Sequence, residues 1–325
     1  MDKKITFSDN YKRFSVVGKM FDTFPYHKIK VGIIGTGNIG TDLLFKVLRS
    51  NILECGIFTG RNPDSEGIIK AQAMGIHTSI DSIKAIQDAP DCCDIVFDAT
   101  SASTHLYNAP ILKKMGKFTI DLTPSHIGKM CVPAINLHEC LNCDNINLIT
   151  CGGQATIPII CAIMKVHPRV EYIEIVASIS SKSAGAGTRS NIDEFTQITK
   201  DAITHFSGVK NTKAIIILNP AEPPVLMHNT IYLKINKPVI AKLRKEISLM
   251  VKKINKYVPG YRIKAGPVFE SNRVTIMIEV EGLGDYLPKY SGNLDIITCA
   301  AVNAAEEYAK KLLKKIPPRR DDFLD

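Results

Sequence analysis

No stretch of the 325-residue chain approaches the roughly 18 consecutive apolar residues that a membrane-spanning helix requires, and no signal-peptide core follows Met1. The expectation is a cytoplasmic protein with no membrane partner. Acidic residues are the scarcer charge, since 32 Asp plus Glu against 41 Lys plus Arg leave a formal net charge of +9. The nine cysteines cannot all pair, and without an export signal they read as reduced thiols, at least one of them available for chemistry. Zinc-finger spacing, a basic stripe interleaved with aromatics and internal repeats are all lacking, which argues against nucleic acid. The remaining composition, 45 % hydrophobic and 22 % charged, is that of a globular protein long enough for about two domains.

The basic surplus sits at the ends. Residues 1–28 have no clear period and read as a poorly ordered leader or a short edge element, and Asp2, Asp9 and Asp22 argue against an organelle transit peptide. Near the C-terminus Lys310, Lys311, Lys314 and Lys315 recur on one face of a helix that Pro317 ends. That pattern suits a solvated helix face followed by a tail, 316–325.

Between the ends the pattern is regular. Strands are expected at 31–34, 53–59, 95–99 and 118–122, with another apolar run ending at Ile149. Helical spacing begins at Asp42 and returns near 64–75, 80–88 and 104–115. This alternation predicts a Rossmann-type, doubly wound parallel sheet in a dinucleotide-binding domain, 29–150. After Cys151 the texture changes to β-branched runs at 172–180, 214–218, 227–235 and 274–280, with helices near 191–206 and 237–257. These predict a catalytic α+β domain, 151–290, with a mainly antiparallel sheet. A last helix, about 291–315, is expected to pack back on the first domain.

Two motifs carry chemistry. Gly35-Thr36-Gly37-Asn38-Ile39-Gly40 follows a strand and opens a helix, the context in which G-x-G-x-x-G binds a dinucleotide. The phosphates would meet free N–H groups and the positive end of a helix. About 20 residues on, where an acidic residue commonly meets the ribose of NAD, the chain has Arg61, which either pairs with the 2′-phosphate of NADP or faces solvent.

The second motif is Thr150-Cys151-Gly152-Gly153, a cysteine after a strand and at a helix start. The helix end is expected to lower the thiol pKa, and the Gly152 and Gly153 N–H groups to stabilise an oxyanion. The competing reading is a buried structural cysteine. The pairing with a nicotinamide domain favours the nucleophile. Cys140 and Cys143 form a C-x-x-C with no second pair, so no metal is expected.

The chain resembles a known family at several segments. Gly-Thr-Gly-Asn-Ile-Gly-Thr-Asp (35–42), Phe97-Asp-Ala-Thr-Ser-Ala, Ile120-Asp-Leu-Thr-Pro and Thr150-Cys-Gly-Gly-Gln-Ala-Thr-Ile-Pro look like acylating acetaldehyde dehydrogenase. So do the segment that opens at Ser180 and runs through Asn191, Leu218-Asn-Pro-Ala-Glu-Pro-Pro, Tyr257-Val-Pro-Gly-Tyr-Arg and Ser291-Gly-Asn-Leu-Asp-Ile. The resemblance implies a bacterial enzyme of aromatic hydrocarbon catabolism. It would oxidise acetaldehyde with NAD (or NADP) and coenzyme A, as a homodimer bound to a 4-hydroxy-2-oxovalerate aldolase that hands over the aldehyde.

By the same resemblance Cys151 is the acyl-thioester nucleophile. The dinucleotide would touch Thr36, Asn38, Ile39 and Asn293, together with the loop Ser183, Ala184, Gly185, Ala186, Gly187, Thr188, Arg189, Ser190 and Asn191. That loop is rich in donors and leads into a helix, which supports the assignment independently.

Three departures from the family bear on activity. Where relatives carry Arg-Asp, with the Asp assisting the thiol, this chain has His228-Asn229. A neutral amide cannot accept the proton, so either His228 replaces it, the helix end suffices, or activity is reduced. The segment between Glu270 and Val274 is about 20 residues shorter than in relatives, and Arg61-Asn62 stands where Ile-Asp is common. The alternative to an enzyme is thus a catalytically weak binding subunit that stabilises an aldolase partner.

Overall fold

A computed structural model describes residues 28–185, 189 and 192–314. The leader and the tail expected at 1–28 and 316–325 lie outside the described residues, apart from Lys28.

The first sheet has seven strands: β1 (Ile29–Ile34), β2 (Leu53–Thr59), β3 (Thr78–Ser79), β4 (Ile95–Asp98), β5 (Phe118–Asp121), β6 (Lys129–Met130) and β7 (Asn145–Asn147). Their order is β3-β2-β1-β4-β5-β7-β6 and every pairing is parallel. Runs such as Val31, Ile33 and Ile34, or Ile95, Val96 and Phe97, are fully buried because helices cover both faces of a parallel sheet. The helices are α1 (Asn38–Leu48), α2 (Glu66–Ala73), α3 (Ile83–Asp88), α4 (Ala102–Lys114) and α5 (Pro133–Cys140). Strand order reverses between β1 and β4, and ligands of such sheets bind at that switch, beyond the carboxyl ends of the strands.

The second sheet has the order β11-β12-β10-β8-β9, from β8 (Val170–Ser180), β9 (Thr212–Asn219), β10 (Met227–Ile235), β11 (Tyr261–Glu270) and β12 (Arg273–Val280). Three ladders are antiparallel, while β8 and β9 are parallel. The β8–β9 crossover runs through α7 (Ile192–Ser207), as a parallel pair requires. One face packs on α6 (Cys151–Val166), α7 and α8 (Ile240–Ile254) through Ile173, Ile175, Ile231, Leu233 and Ile276. The shortened segment is a tight hairpin: Glu270 pairs with Arg273 across Ser271 and Asn272, both with positive φ, the signature of a two-residue type I′ turn.

The long C-terminal helix α9 (Gly292–Leu313) contributes Ile297, Ala300, Ala301, Ala304, Ala305 and Ala309 to the core of the first sheet. A buried ionic knot fastens it to α1. Lys46, 1 % exposed, lies 2.6 Å from Asp42 and 2.8 Å from Asp295, and Thr298 donates its hydroxyl to Asp42 at 2.5 Å. Both helices start at the switch point, so this knot sets the spacing of two walls of the site.

Candidate active site

The glycine turn fits a dinucleotide by its shape. Gly35 has φ +108°, and a Cβ there would lie 2.4 Å from Ala99 O. A Cβ at Gly40 would come within 1.8 Å of Gly35 O, so only glycine lets α1 close on β1. At Gly37 a Cβ would meet nothing within 4 Å, which leaves open, exposed space in front of the helix N-terminus, where a pyrophosphate fits. Thr36 faces the other way. Its hydroxyl accepts from Ser65 Oγ at 2.9 Å, and its side chain fills the space a Cβ on Gly60 would need. Arg61 follows Gly60 at the end of β2 and is exposed, while Asn38 is exposed at the first turn of α1.

Beside this turn a cleft opens where the two sheets meet. Three of its walls are the loops that leave β4, β5 and β7: Ala99–Ala102, Leu122–Pro124 and Ile149–Cys151. Ile39 of α1, Ile179 of β8 and Phe195 of α7 add apolar surface, and Asn293, Leu294 and Ile297 of α9 close the ring. Four helices, α1, α4, α6 and α9, thus begin at the cleft and direct their positive ends toward it.

Cys151 is the first residue of α6. The cap beneath it is a relay: the Gly153 N–H donates to Thr150 Oγ1 (3.0 Å), Thr150 Oγ1 meets Thr199 Oγ1 (2.7 Å), and Thr199 donates to Phe195 O (2.7 Å). The preceding Ile149 has φ +66°, an outlier for a β-branched residue, and turns the chain sharply from β7 into α6.

Two expectations are corrected here. The Gly153 N–H is taken by the cap, so the donors free to hold an oxyanion are the Cys151 and Gly152 N–H groups. The helix end also fails to lower the thiol pKa. Burial pushes Cys151 up to about 12, against the weaker opposing pull of the Gly152 and Cys151 N–H groups.

The strand alternation of β10 separates His228 from Asn229. Asn229 is fully buried on the face toward α6, paired with Ala177, whose Cβ lies 3.7 Å from the position a Cβ on Gly152 would take. Its amide nitrogen and oxygen have no hydrogen-bond partner. His228 points to the opposite face, where its Nε2 lies 2.6 Å from Glu279 Oε2. It is therefore not the base that replaces the missing carboxylate. Its Glu279 partner is held down at about 2: desolvation opposes this, and Lys264, His228 and Arg262 outweigh it.

No carboxylate, imidazole, ammonium or guanidinium lines the cleft among the described residues. Alkylation of Cys151 by iodoacetamide in the unliganded protein should then accelerate about tenfold per pH unit from pH 7 to 9, since only the thiolate reacts and its pKa lies above that window. His228→Ala is expected to leave that rate unchanged. A plateau near neutral pH would contradict the buried thiol.

Asn293, 2 % exposed, reaches toward Ser183 O (3.5 Å) with its Nδ2, while its Oδ1 and the Thr123 hydroxyl are buried without partners in the wall of the cleft. Such orphaned atoms suit a polar ligand. The loop after β8 is tied by Arg189, which donates to Ala184 O (3.2 Å) and Ser181 O (2.6 Å). Ser183 and Ala184 are buried there, and Gly185 is exposed. Ala186, Gly187, Thr188, Ser190 and Asn191 lie outside the described residues.

Thr100, Thr123 and Phe195 line the cleft without belonging to either chemistry-bearing motif of the sequence. The signal for the first two was present: each stands two residues after an aspartate that ends a strand, a pattern that caps a sheet-end loop.

Among the described residues no helix is long and apolar enough to cross a membrane. A family model for the dimerisation part of prokaryotic acetaldehyde dehydrogenase matches residues 151–288. The acetaldehyde dehydrogenase of Geobacillus stearothermophilus is 54 % identical over 288 residues, covering 88 % of this chain and 98 % of the relative. That of Carboxydothermus hydrogenoformans is 55 % identical over 287 residues, covering 88 % and 95 %. Among solved structures, aspartate semialdehyde dehydrogenase II from Vibrio cholerae is similar with a TM-score of 0.55, covering 89 % of this chain and 99 % of its own, and at 14 % identity the likeness is one of fold. With relatives this similar over nearly their whole length, the chain belongs to the acetaldehyde dehydrogenase family, aldehyde-oxidising oxidoreductases.

Proposed function

We propose that the chain is a CoA-acylating aldehyde dehydrogenase that converts acetaldehyde, or another short aldehyde, to acyl-CoA through a thioester on Cys151. The observation that carries this reading is the thiol at the start of α6, in an apolar cleft that adjoins a dinucleotide-shaped glycine turn. The Cys151 thiolate, its proton released to solvent, adds to the aldehyde carbon, and the carbonyl electron pair moves onto oxygen, toward the Cys151 and Gly152 N–H groups. A bound nicotinamide supplies the hydride acceptor. The acyl group stays on Cys151 until coenzyme A, as its thiolate with the proton released to solvent, attacks the same carbon and releases the Cys151 thiolate.

The chain's own residues do the holding. The N–H groups beyond Gly37 would face the pyrophosphate, and the Oδ1 of Asn293 is free to accept from a carboxamide.

NAD is the nucleotide of this proposal. Arg61 adds a guanidinium that suits the 2′-phosphate of NADP. Arg61→Asp should weaken NADP binding by about 10- to 100-fold and NAD binding far less, measured by titration. Equal small effects would place Arg61 in solvent only.

The same reading includes a homodimer. The face of the second sheet away from α6 carries Val176, Ile215, Ile217, Thr230 and Thr275, with Ile217 45 % exposed, within the segment matched as a dimerisation domain. An aldolase that supplies the aldehyde, and a cytoplasmic place of work, rest on the motif resemblance. The second reading, a catalytically weak subunit kept to stabilise that aldolase, is favoured by the lack of a base among the described residues that line the cleft and by the neutral Asn229. One assay separates the two: acetaldehyde, coenzyme A and NAD or NADP with the isolated chain, read near 340 nm (roughly the reduced nicotinamide band). Full turnover supports the enzyme, and none favours the binding subunit.

A further inference from the structure

Three neighbouring strands of the first sheet end in register: Asp98 of β4 pairs with Asp121 of β5, and Asp121 pairs with Asn147 of β7. Each end residue makes the same turn. The Oδ1 atoms accept the N–H two residues on, from Thr100 (3.2 Å), Thr123 (2.7 Å) and Ile149 (2.8 Å). Those three residues lie in the three loops that wall the cleft.

The row is also tied sideways. Asn147 Nδ2 donates to Asp121 Oδ2 at 2.6 Å, Thr123 O at 3.1 Å and Ser125 O at 3.3 Å. His105, fully buried, meets Asp98 Oδ2 through Nδ1 at 2.9 Å, with Nε2 3.0 Å from Asn145 Nδ2 and 3.5 Å from Asp121 Oδ2. Burial opposes a charge on His105, but the two aspartates outweigh it and raise its pKa. Asp121 is raised in turn, because burial exceeds the pull of His105, Ser125 and Thr123.

We propose that Asn147 is a positioning residue for Cys151: by holding the Ile149 N–H it keeps the left-handed turn that aims α6, and through Asp121 it locks this turn to the loop after β5. The inference rests on the reading of Cys151 as nucleophile. Ile149 adopts a sterically costly φ of +66°, and the Asn147 side-chain Oδ1 is its local tether. Asparagine suits the post because it is at once an acceptor for Ile149 and a donor to a carboxylate. Aspartate at this position keeps the first contact but sets two carboxyls at 2.6 Å, which requires a shared proton.

The test compares Asn147→Ala and Asn147→Asp in the full chain, each checked for native near-ultraviolet circular dichroism and thermal unfolding. Asn147→Ala should lower kcat by about 100-fold, the scale of a displaced reacting group, with the KM for NAD little changed. The kcat of Asn147→Asp relative to the wild type at the same pH should rise as the pH falls and the shared proton rebuilds the bridge, whereas a merely structural role would leave that ratio flat. If both variants are merely less stable, with the wild-type kcat and pH profile per folded molecule, Asn147 only supports the fold and the proposal is overturned. Cys151→Ala separates the two layers. If that variant keeps its turnover, the nucleophile reading has failed, and if it is inactive while Asn147→Ala turns over normally, only this inference has failed.

Discussion

Cys151→Ala should abolish aldehyde-dependent reduction of the nicotinamide, a loss on the order of 10⁴-fold or more in kcat. Among the described residues Cys151 supplies the one thiol of the cleft, and the hydroxyls of Thr100, Ser101, Thr123 and Thr150 that also line it have no base beside them to make them nucleophiles. The substitution removes one atom from a residue 8 % exposed at a helix start, and the Thr150 cap does not involve the side chain. Folding and dinucleotide binding should therefore survive, measured by circular dichroism and by titration with NAD. Retention of more than a trace of turnover by this variant would remove the thioester route and leave the dinucleotide reading standing on the glycine turn.

Lys46→Met should destabilise the protein by about 3–5 kcal/mol, read from denaturant or thermal unfolding. Methionine has nearly the volume of lysine, so the loss is electrostatic. Asp42 and Asp295, 1 % and 3 % exposed, would remain in the seam between α1 and α9 without their cation. Burial already raises the Asp42 pKa, against the pull of Lys46 and Thr298. Removing Lys46 raises it further. A carboxyl raised in the folded state stabilises below its unfolded value and loses that contribution as pH rises through the folded value. The deficit of Lys46→Met should therefore be smaller in mild acid than at pH 8. A deficit that grows toward acid would show that the carboxylates are not the cause. Arg49→Met is the contrast. Its pair with Asp285 is 42 % and 21 % exposed, and its loss should cost under about 1 kcal/mol.

The elements that position the site differ in how plainly the sequence announced them. The Gly35–Gly40 turn and the start of α6 were legible because their rules act within a few residues: strand, glycine, cap. The strand β11 was not, since Gly266 and Pro267 interrupt its alternation and its register with β12 shifts twice. The short helix α5 went unread for a similar reason, with Asn136 non-helical inside it. The opposed directions of His228 and Asn229 follow from the two-residue period of a strand, yet which face meets the thiol depends on which side of the sheet α6 covers.

Short-range rules written in neighbouring residues set the local conformations: a glycine turn shaped for phosphate, a capped helix opened by a cysteine, and three strand ends poised to make the same turn. These rest on short-range sterics and hydrogen bonds, which a few neighbouring residues settle. Long-range packing set the electrostatics and the company of each group. It buried Cys151 far enough to reverse the expected pKa shift, set Asp295 beside a lysine 249 positions earlier, and aligned Asp98, Asp121 and Asn147 in one row. Desolvation and long-range contact depend on what the rest of the chain places around a group, and no local pattern contains that.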